Sequence, residues 1–257
     1  MEQTEQQFTA KWITDSREMA YGGLQQEIAR RRRDVYFAAK RLVDVIIAGI
    51  ALVALLPLLL IVAILVCLDS PGPAIFKQER VTAKRRGNSR GETWEVGMFT
   101  CYKFRSMYNG TKSDLHEAFI EAFIKNDTDG MVEVQGQKSH MCKLVNDPRI
   151  SRIGHFIRKT SIDELPQLWN VLKGDMSIVG PRPAIPYEVE QYEPWHRARL
   201  QAKPGLTGWW QIKGRGSVEF DDGIRQDIWY VEHQSPVLDT LIVLKTPAAV
   251  LTRKGAL

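Results

Sequence analysis

Asp163 and Glu164 are adjacent carboxylates in Ser161-Ile-Asp-Glu-Leu-Pro-Gln167, and the apolar pattern Leu165 to Leu172 follows them. Paired carboxylates can attack phosphorus, hold a divalent cation or cap a helix. Pro166 lacks an N–H and suits the first turn of a helix. The spacing therefore predicts a helix that starts near residues 162–165 and ends at Gly174. The acid pair would then lie where free backbone N–H groups and the macrodipole favour negative charge. Ser161 and Glu164 also have the S-x-x-E spacing of a capping box. Taken alone, the pair reads first as a cap and second as chemistry.

Cations flank the pair. Arg149, Arg152, Arg158 and Lys159 precede it, and Gly180-Pro-Arg-Pro183 follows. An arginine fork donates two parallel hydrogen bonds to phosphate, so the upstream group is either a phosphate-binding wall or surface charge balance. Two prolines around Arg182 make a stiffer loop than an exposed turn needs. Asp127-Thr-Asp129 has the spacing for an oxygen-ligated metal, but Asp-x-Asp before glycine is ordinary turn chemistry, and the turn is preferred.

Composition narrows the classes. The 257 residues carry a net charge of +5, which favours anionic partners. Cys67, Cys101 and Cys142 are scattered, without zinc spacing, and fit a reducing compartment rather than a disulfide framework. No P-loop, H-E-x-x-H or G-x-S-x-G occurs, and Gly214-Arg-Gly216 lacks the third glycine of a dinucleotide fingerprint.

Several elements must position these residues. Val45 to Leu68 is an apolar, uncharged run of 24 residues; as a straight helix it would be about 36 Å long, enough for a hydrocarbon core of about 30 Å. Pro57 interrupts it. Both flanks are basic: Arg30 to Arg33, Lys40 and Arg41 before, Lys77, Arg80, Lys84, Arg85 and Arg86 after. The positive-inside rule puts both ends on the cytoplasmic side, so a helix that enters, bends at Pro57 and returns is preferred over a kinked spanning one. Ala74 to Gln78 and Trp94 to Phe104 read as strands, with Lys84 to Gly91 as a basic loop. In 108–142, Leu115, Phe119, Ala122 and Phe123 share a helical face. Tyr187 to Leu200 and Leu238 to Leu251 read as surface helices suited to a membrane interface. Trp209 and Trp210 are interface anchors or core. The expected fold is α/β and helix-dominated, with few short strands, a Pro-kinked re-entrant membrane helix and interfacial amphipathic helices.

Several stretches together resemble one family. They are the Pro-broken run with Asp69-Ser-Pro-Gly-Pro73, Lys103-Phe-Arg-Ser-Met107, Asn146-Asp-Pro-Arg149, Thr160 to Pro183, Lys203-Pro-Gly-Leu-Thr-Gly208 and Arg253-Lys-Gly-Ala256. Their order is similar to that in the monotopic phosphoglycosyl transferases of bacteria, the polyprenyl-phosphate sugar-1-phosphate transferases, from about residue 38 onward. The resemblance implies an extension at 1–37, a re-entrant membrane helix at 38–73 and a cytoplasmic catalytic domain at 74–257, with 108–142 as an insertion. The family breaks its helix at Ser-Pro; this chain has Leu56-Pro57.

The resemblance also implies a reaction. A sugar-1-phosphate, expected to be a hexose phosphate, moves from a UDP-sugar to undecaprenyl phosphate through a phosphosugar-aspartyl intermediate, and UMP leaves. Asp163 and Glu164 match the catalytic dyad, with Glu164 as ligand to Mg2+. Arg158 and Pro181-Arg182-Pro183 match phosphate- and nucleotide-binding positions. Lys103, Arg105, Arg215 and Asp227 match polar positions near the site, and Lys203 stands where arginine is usual. The expected partners are the UDP-sugar, undecaprenyl phosphate, membrane lipids and, as an open option, a second copy of the chain; nucleic acid is not among them. The expected place is the cytoplasmic face of the bacterial inner membrane, at the first membrane step of exopolysaccharide, O-antigen or capsule assembly. Two other readings stand beside this one: a glycosyltransferase that holds a metal-nucleotide at Asp127 and Asp129, and a basic membrane-surface scaffold without turnover.

Overall fold

The structure is a computed structural model that describes residues 2–88, 91–110, 114–125, 127–135, 147–214 and 219–251. The chain divides into two compact units, Met1–Val43 and Asp44–Leu257. The first holds the beginning of helix α1 (Glu2–Asp69). There Val35, Leu42 and Val43 are exposed, and the Arg33 guanidinium lies 6.0 Å from the centre of the Phe37 ring. The segment Arg33–Asp69 is long and apolar enough to cross a membrane.

In the second unit, α1 is seated at both ends of its apolar run. Asp44 is buried and accepts the backbone N–H of Ile178 at 2.9 Å, while Asp69 accepts that of Ile153 at 3.1 Å. Ala48, Val62 and Val66 are buried, whereas Ile50, Val53, Ile61, Ile64 and Leu68 are exposed. Pro57 lies inside α1.

After α1 comes a hairpin of β1 (Ile75–Asn88) and β2 (Gly91–Phe104), antiparallel from Ile75 opposite Phe104 to Asn88 opposite Gly91. The basic stretch from Lys84 is therefore strand through Asn88, not loop. A two-stranded ribbon leaves one face in water, so charged side chains fit it; Arg86 pairs with Glu95 at 3.0 Å, while Val81 and Ala83 turn inward. In 108–142, α2 (Asp114–Ile124) buries Phe119 and Ala122 as the periodicity requires, and α3 (Thr128–Gln135) follows. Asp127 accepts the N–H of Gly130 at 2.9 Å, the turn chemistry preferred from sequence.

Helix α4 (Arg152–Lys159) leads through a 3-10 turn, Ile162–Glu164, to α5 (Gln167–Lys173). Then β3 (Ser177–Val179) pairs in parallel with β4 (Gly205–Thr207), Ser177 opposite Gly205 and Val179 opposite Thr207. Their backbones approach so closely that a Cβ on Gly180 would strike the Lys203 carbonyl, and one on Gly205 the Gly180 nitrogen. The crossover holds α6 (Pro186–Glu190) and a 3-10 segment, Pro194–Leu200. This corrects the single surface helix expected at Tyr187 to Leu200: the stretch is broken before Pro194, and Tyr192, His196 and Arg199 are buried. Helices α7 (Trp209–Gly214), α8 (Phe220–Glu232) and α9 (Pro236–Leu251) complete the unit. Trp209 packs against the main core and stacks on Trp229. That core joins Ala48 of α1 to Phe99, Leu168, Val171, Met176, Tyr230 and Ile242.

Candidate active site

Ser161 sets the geometry of the acid pair. It is the only non-glycine residue with positive φ (56°) among the described residues, a left-handed conformation that costs a side-chain-bearing residue about 1–2 kcal/mol. The chain thereby leaves α4, and Ile162–Glu164 form one 3-10 turn. Helix α5 begins only at Gln167, with Pro166 as its N-cap residue, and closes at Gly174 (φ 88°). Helix α5 thus starts after the expected 162–165, which a 3-10 turn largely occupies instead. The Ser161 side chain makes no capping hydrogen bond, so the capping box does not form.

Each acid lies beside its own cation. Glu164 meets Lys103 at 2.9 Å, with both side chains partly open, 16% and 18% exposed. Asp163 is 8% exposed. Burial pulls the Arg158 guanidinium below its ordinary range, and Asp163 is the foremost charge opposing that shift. Arg158 is anchored through Nε to the Ser106 hydroxyl at 2.8 Å.

Lys103 is brought to the dyad by a residue that sequence reasoning passed over. Asn170, fully buried in α5, accepts the N–H of Tyr102 at 3.1 Å and donates to the Thr100 carbonyl at 2.7 Å. Its amide thus acts as a short extra strand on β2 and locks α5 to that strand beside Lys103. The available signal was one asparagine among the apolar positions of Leu165 to Leu172.

Above the pair lies a cleft lined by Arg80, Cys101, Lys103, Glu164, Gln167, Arg182, Pro183, Gly205, Leu206 and Gln211. Glu164, Lys103, Arg182 and Pro183 are thus gathered from β2, the 3-10 turn and the loop after β3. Asp163 is not on the lining. Pro181, in the same loop, is buried. Burial lowers the Arg80 guanidinium, and the like charge of Arg182 adds to the effect. Arg80 had read only as part of a basic flank. Burial also pushes the Cys101 thiol up.

Other expected residues lie elsewhere. Arg105 does not line the cleft; it donates to the carbonyls of Val66, Ser70, Pro71 and Gly72 and so caps the end of α1. Helix C-termini leave carbonyls unpaired and favour cations, which accounts for this placement. Asp227 is buried in α8 and pairs with Arg199 at 2.6 Å behind the Arg182 loop. The upstream wall of cations also separates: Arg149 pairs with Asp147 at 2.6 Å, and Arg152 and Lys159 are exposed. Arg215 lies outside the described residues, as do Asn146, Cys142 and the stretch Arg253 to Ala256.

The chain is 42% identical over 217 residues to the UDP-galactose-lipid carrier transferase of Erwinia amylovora, covering 84% of this chain and 41% of that protein. It is 39% identical over 233 residues to the UDP-glucose:undecaprenyl-phosphate glucose-1-phosphate transferase of Xanthomonas campestris pv. campestris, covering 87% and 41%. It is 38% identical over 219 residues to the exopolysaccharide production protein ExoY of Sinorhizobium fredii, covering 85% and 88%. The chain thus spans less than half the length of the first two and most of the third. The bacterial sugar transferase model matches residues 35–253, a span that includes the apolar run, the acid pair and the whole cleft, and the chain belongs to the bacterial sugar transferase family.

Proposed function

We propose that this protein transfers a sugar-1-phosphate, a hexose phosphate, from a UDP-sugar to undecaprenyl phosphate, at the first membrane step of exopolysaccharide, O-antigen or capsule assembly. The observation that carries this reading is one cleft in which Glu164 of the dyad meets Lys103, Arg182 and Arg80. Such a site suits a pyrophosphate, whose charge must be neutralised before an anion can attack it. The names of the relatives supply the substrates: a UDP-galactose-lipid carrier reaction in one and a UDP-glucose to undecaprenyl-phosphate transfer in another.

In the proposed reaction an Asp163 carboxylate oxygen attacks the phosphorus that bears the sugar. The bond from that phosphorus to the bridging oxygen breaks, and UMP departs with the electron pair. An oxygen of undecaprenyl phosphate then attacks the same phosphorus and expels the aspartate, leaving a sugar on undecaprenyl diphosphate. Two displacements replace one difficult encounter between large substrates. The Arg158 charge acts on Asp163, and Lys103 and Arg182 bind phosphoryl oxygens. Asp163 stands behind the lining, so attack requires the donor to seat deeply against the 3-10 turn.

The donor set fits magnesium. Glu164, a carboxylate on the cleft lining, is the kind of oxygen ligand that this ion takes together with phosphate oxygens. Glu164 would hold it; its chemistry would be to neutralise charge on the phosphoryl group.

The membrane element follows the same reading. A helix that crosses a bilayer cannot have both ends on one water-exposed domain, yet Asp44 and Asp69 each accept a backbone N–H from the same unit. This supports re-entry at Pro57 by 38–73, with the catalytic domain 74–257 at the cytoplasmic face of the inner membrane. The exposed Val237, Leu241 and Leu244 of α9, with Phe156 and Trp169, suit contact with that surface.

The test is donor cleavage without acceptor. UDP-sugar alone should release UMP in a single-turnover burst and label Asp163, and Asp163→Asn should abolish both. A strict requirement for the lipid before any UMP appears would replace the covalent route by direct transfer. Release of UDP instead of UMP would indicate simple glycosyl transfer. For topology, single cysteines near the N-terminus and after residue 80 should both react from the cytoplasmic side; opposite accessibility would make α1 a spanning helix.

A further inference from the structure

We infer that Arg199, held in place by Asp227, is a positioning residue that aims the Arg182 side chain into the cleft. The inference rests on the function proposed above.

The loop that carries Arg182 cannot order itself by its own backbone pairing. Pro181 and Pro183 have no N–H to donate, and proline fixes φ but leaves ψ to be set by the direction of each carbonyl. Four successive carbonyls of this loop are each held by a donor from a different place. Pro181 accepts from the Gly205 N–H at 2.8 Å, and Ala184 from the Val81 N–H at 2.9 Å. Pro183 accepts from Arg80 Nη1 at 2.8 Å, and Arg182 itself from Arg199 Nη2 at 3.1 Å. With every carbonyl turned outward, the backbone has one course and Arg182 one point of departure.

Arg199 is the member of this set whose effect can be isolated. Two of the donors are backbone groups, and Arg80 also lines the cleft. Arg199 is 5% exposed, lies off the cleft lining, and reaches the loop only through the carbonyl of Arg182. Both terminal nitrogens are committed around that contact: Nη2 also to Asp227 at 2.6 Å, and Nη1 to the Tyr192 hydroxyl at 2.6 Å and to Glu188 at 3.2 Å, while Nε makes no hydrogen bond. A buried ionic cluster is a poor source of stability, since apolar residues of like volume often serve as well. What an apolar side chain cannot do is fix the direction of one carbonyl under the phosphate-binding arginine.

The experiment is a double-mutant cycle on the full chain in lipid nanodiscs, with UDP-sugar and undecaprenyl phosphate. Arg199→Lys keeps the charge but cannot span Asp227 and the Arg182 carbonyl together. It should raise KM for the UDP-sugar about tenfold and leave kcat within about twofold, the pattern of a lost binding contact. Arg182→Ala should raise KM at least as much. In the Arg182→Ala background, Arg199→Lys should add less than about twofold, because its effect passes through a side chain already gone. Asp227→Asn should repeat this pattern and decides the matter if Arg199→Lys does not fold. A full, additive effect of either variant in the Arg182→Ala background would overturn the inference, as would a loss confined to kcat. UDP affinity by calorimetry on the same proteins separates the two ideas. If wild type turns over no UDP-sugar, the proposed function fails; non-additive losses of UDP affinity would still uphold the positioning role, and additive losses would remove it.

Discussion

Two of the ion pairs in this domain are built for different work. Lys103–Glu164 spans 2.9 Å at the edge of the cleft, with both side chains partly open to water. Arg199–Asp227 spans 2.6 Å behind the Arg182 loop, with side chains 6% and 3% exposed. A pair that water can reach can exchange partners at little cost, so in the proposed reaction Lys103 and Glu164 can each turn to a phosphate or a cation when substrate arrives. A pair withdrawn from water cannot exchange, because either charge alone would be left buried and unpaired. The open pair suits chemistry and the closed pair suits geometry.

The contrast can be broken by substitution. Glu164→Gln should reduce turnover about 10³-fold while changing unfolding free energy by less than about 1 kcal/mol, since partly open pairs contribute little; steady-state kinetics beside denaturant unfolding checks both. Asp227→Ala should do the reverse in emphasis. It strands the buried Arg199 charge and should cost about 3–5 kcal/mol of stability, read as a lowered midpoint in urea. If Asp227→Ala unfolds no more readily than wild type, the closed pair is not what its burial implies.

Smaller effects sharpen the same distinction. Lys103→Met should lower kcat/KM about tenfold by removing one phosphate contact, again with little change in the urea midpoint. The pH profile should report the closed pair. Burial pushes the Asp227 carboxyl up to about 6, with Arg199 beside it opposing the rise; Glu188 and Arg182 are the other charges that act on it. Below that value the carboxyl takes a proton and Arg199 loses its counter-charge. As pH falls to about 6, kcat/KM should therefore drop to about half its plateau. In Asp227→Asn this titration should disappear, leaving a lower activity with no step near pH 6.

Much of the chain was legible because local rules governed it. The apolar run of α1, the closing Gly174 and the buried face of α2 followed from periodicity and from the backbone freedom of glycine. The hairpin was only half legible: its strands were read, but Lys84 to Asn88 carry charges that suggest a loop, and cross-strand pairing made them strand. Arg105 looked like a phosphate ligand because it stands beside Lys103. Residues two apart share a face only while the strand lasts; β2 ends at Phe104, and Arg105, just past that end, turns to the open carbonyls of α1. Tyr187 to Leu200 looked amphipathic, but its polar Arg199 and His196 found partners inside.

The residue types around the acid pair were set by the sequence alone: two carboxylates before a proline, an arginine between two prolines, a lysine at a strand end and an apolar run with a break. They define which chemistry is available, because pKa range, charge and the missing N–H of proline belong to the residues themselves. Tertiary structure decided which of these residues meet. Asn170 binds α5 to β2, Arg80 and Arg199 hold the Arg182 loop, and Asp44 and Asp69 bring both ends of the apolar run to one domain. Those contacts join residues far apart in the chain, and their free energy comes from burial and from hydrogen bonds that exist only once the elements have packed. A local pattern could mark Asn170 as out of place among apolar positions, but it could name none of these partners.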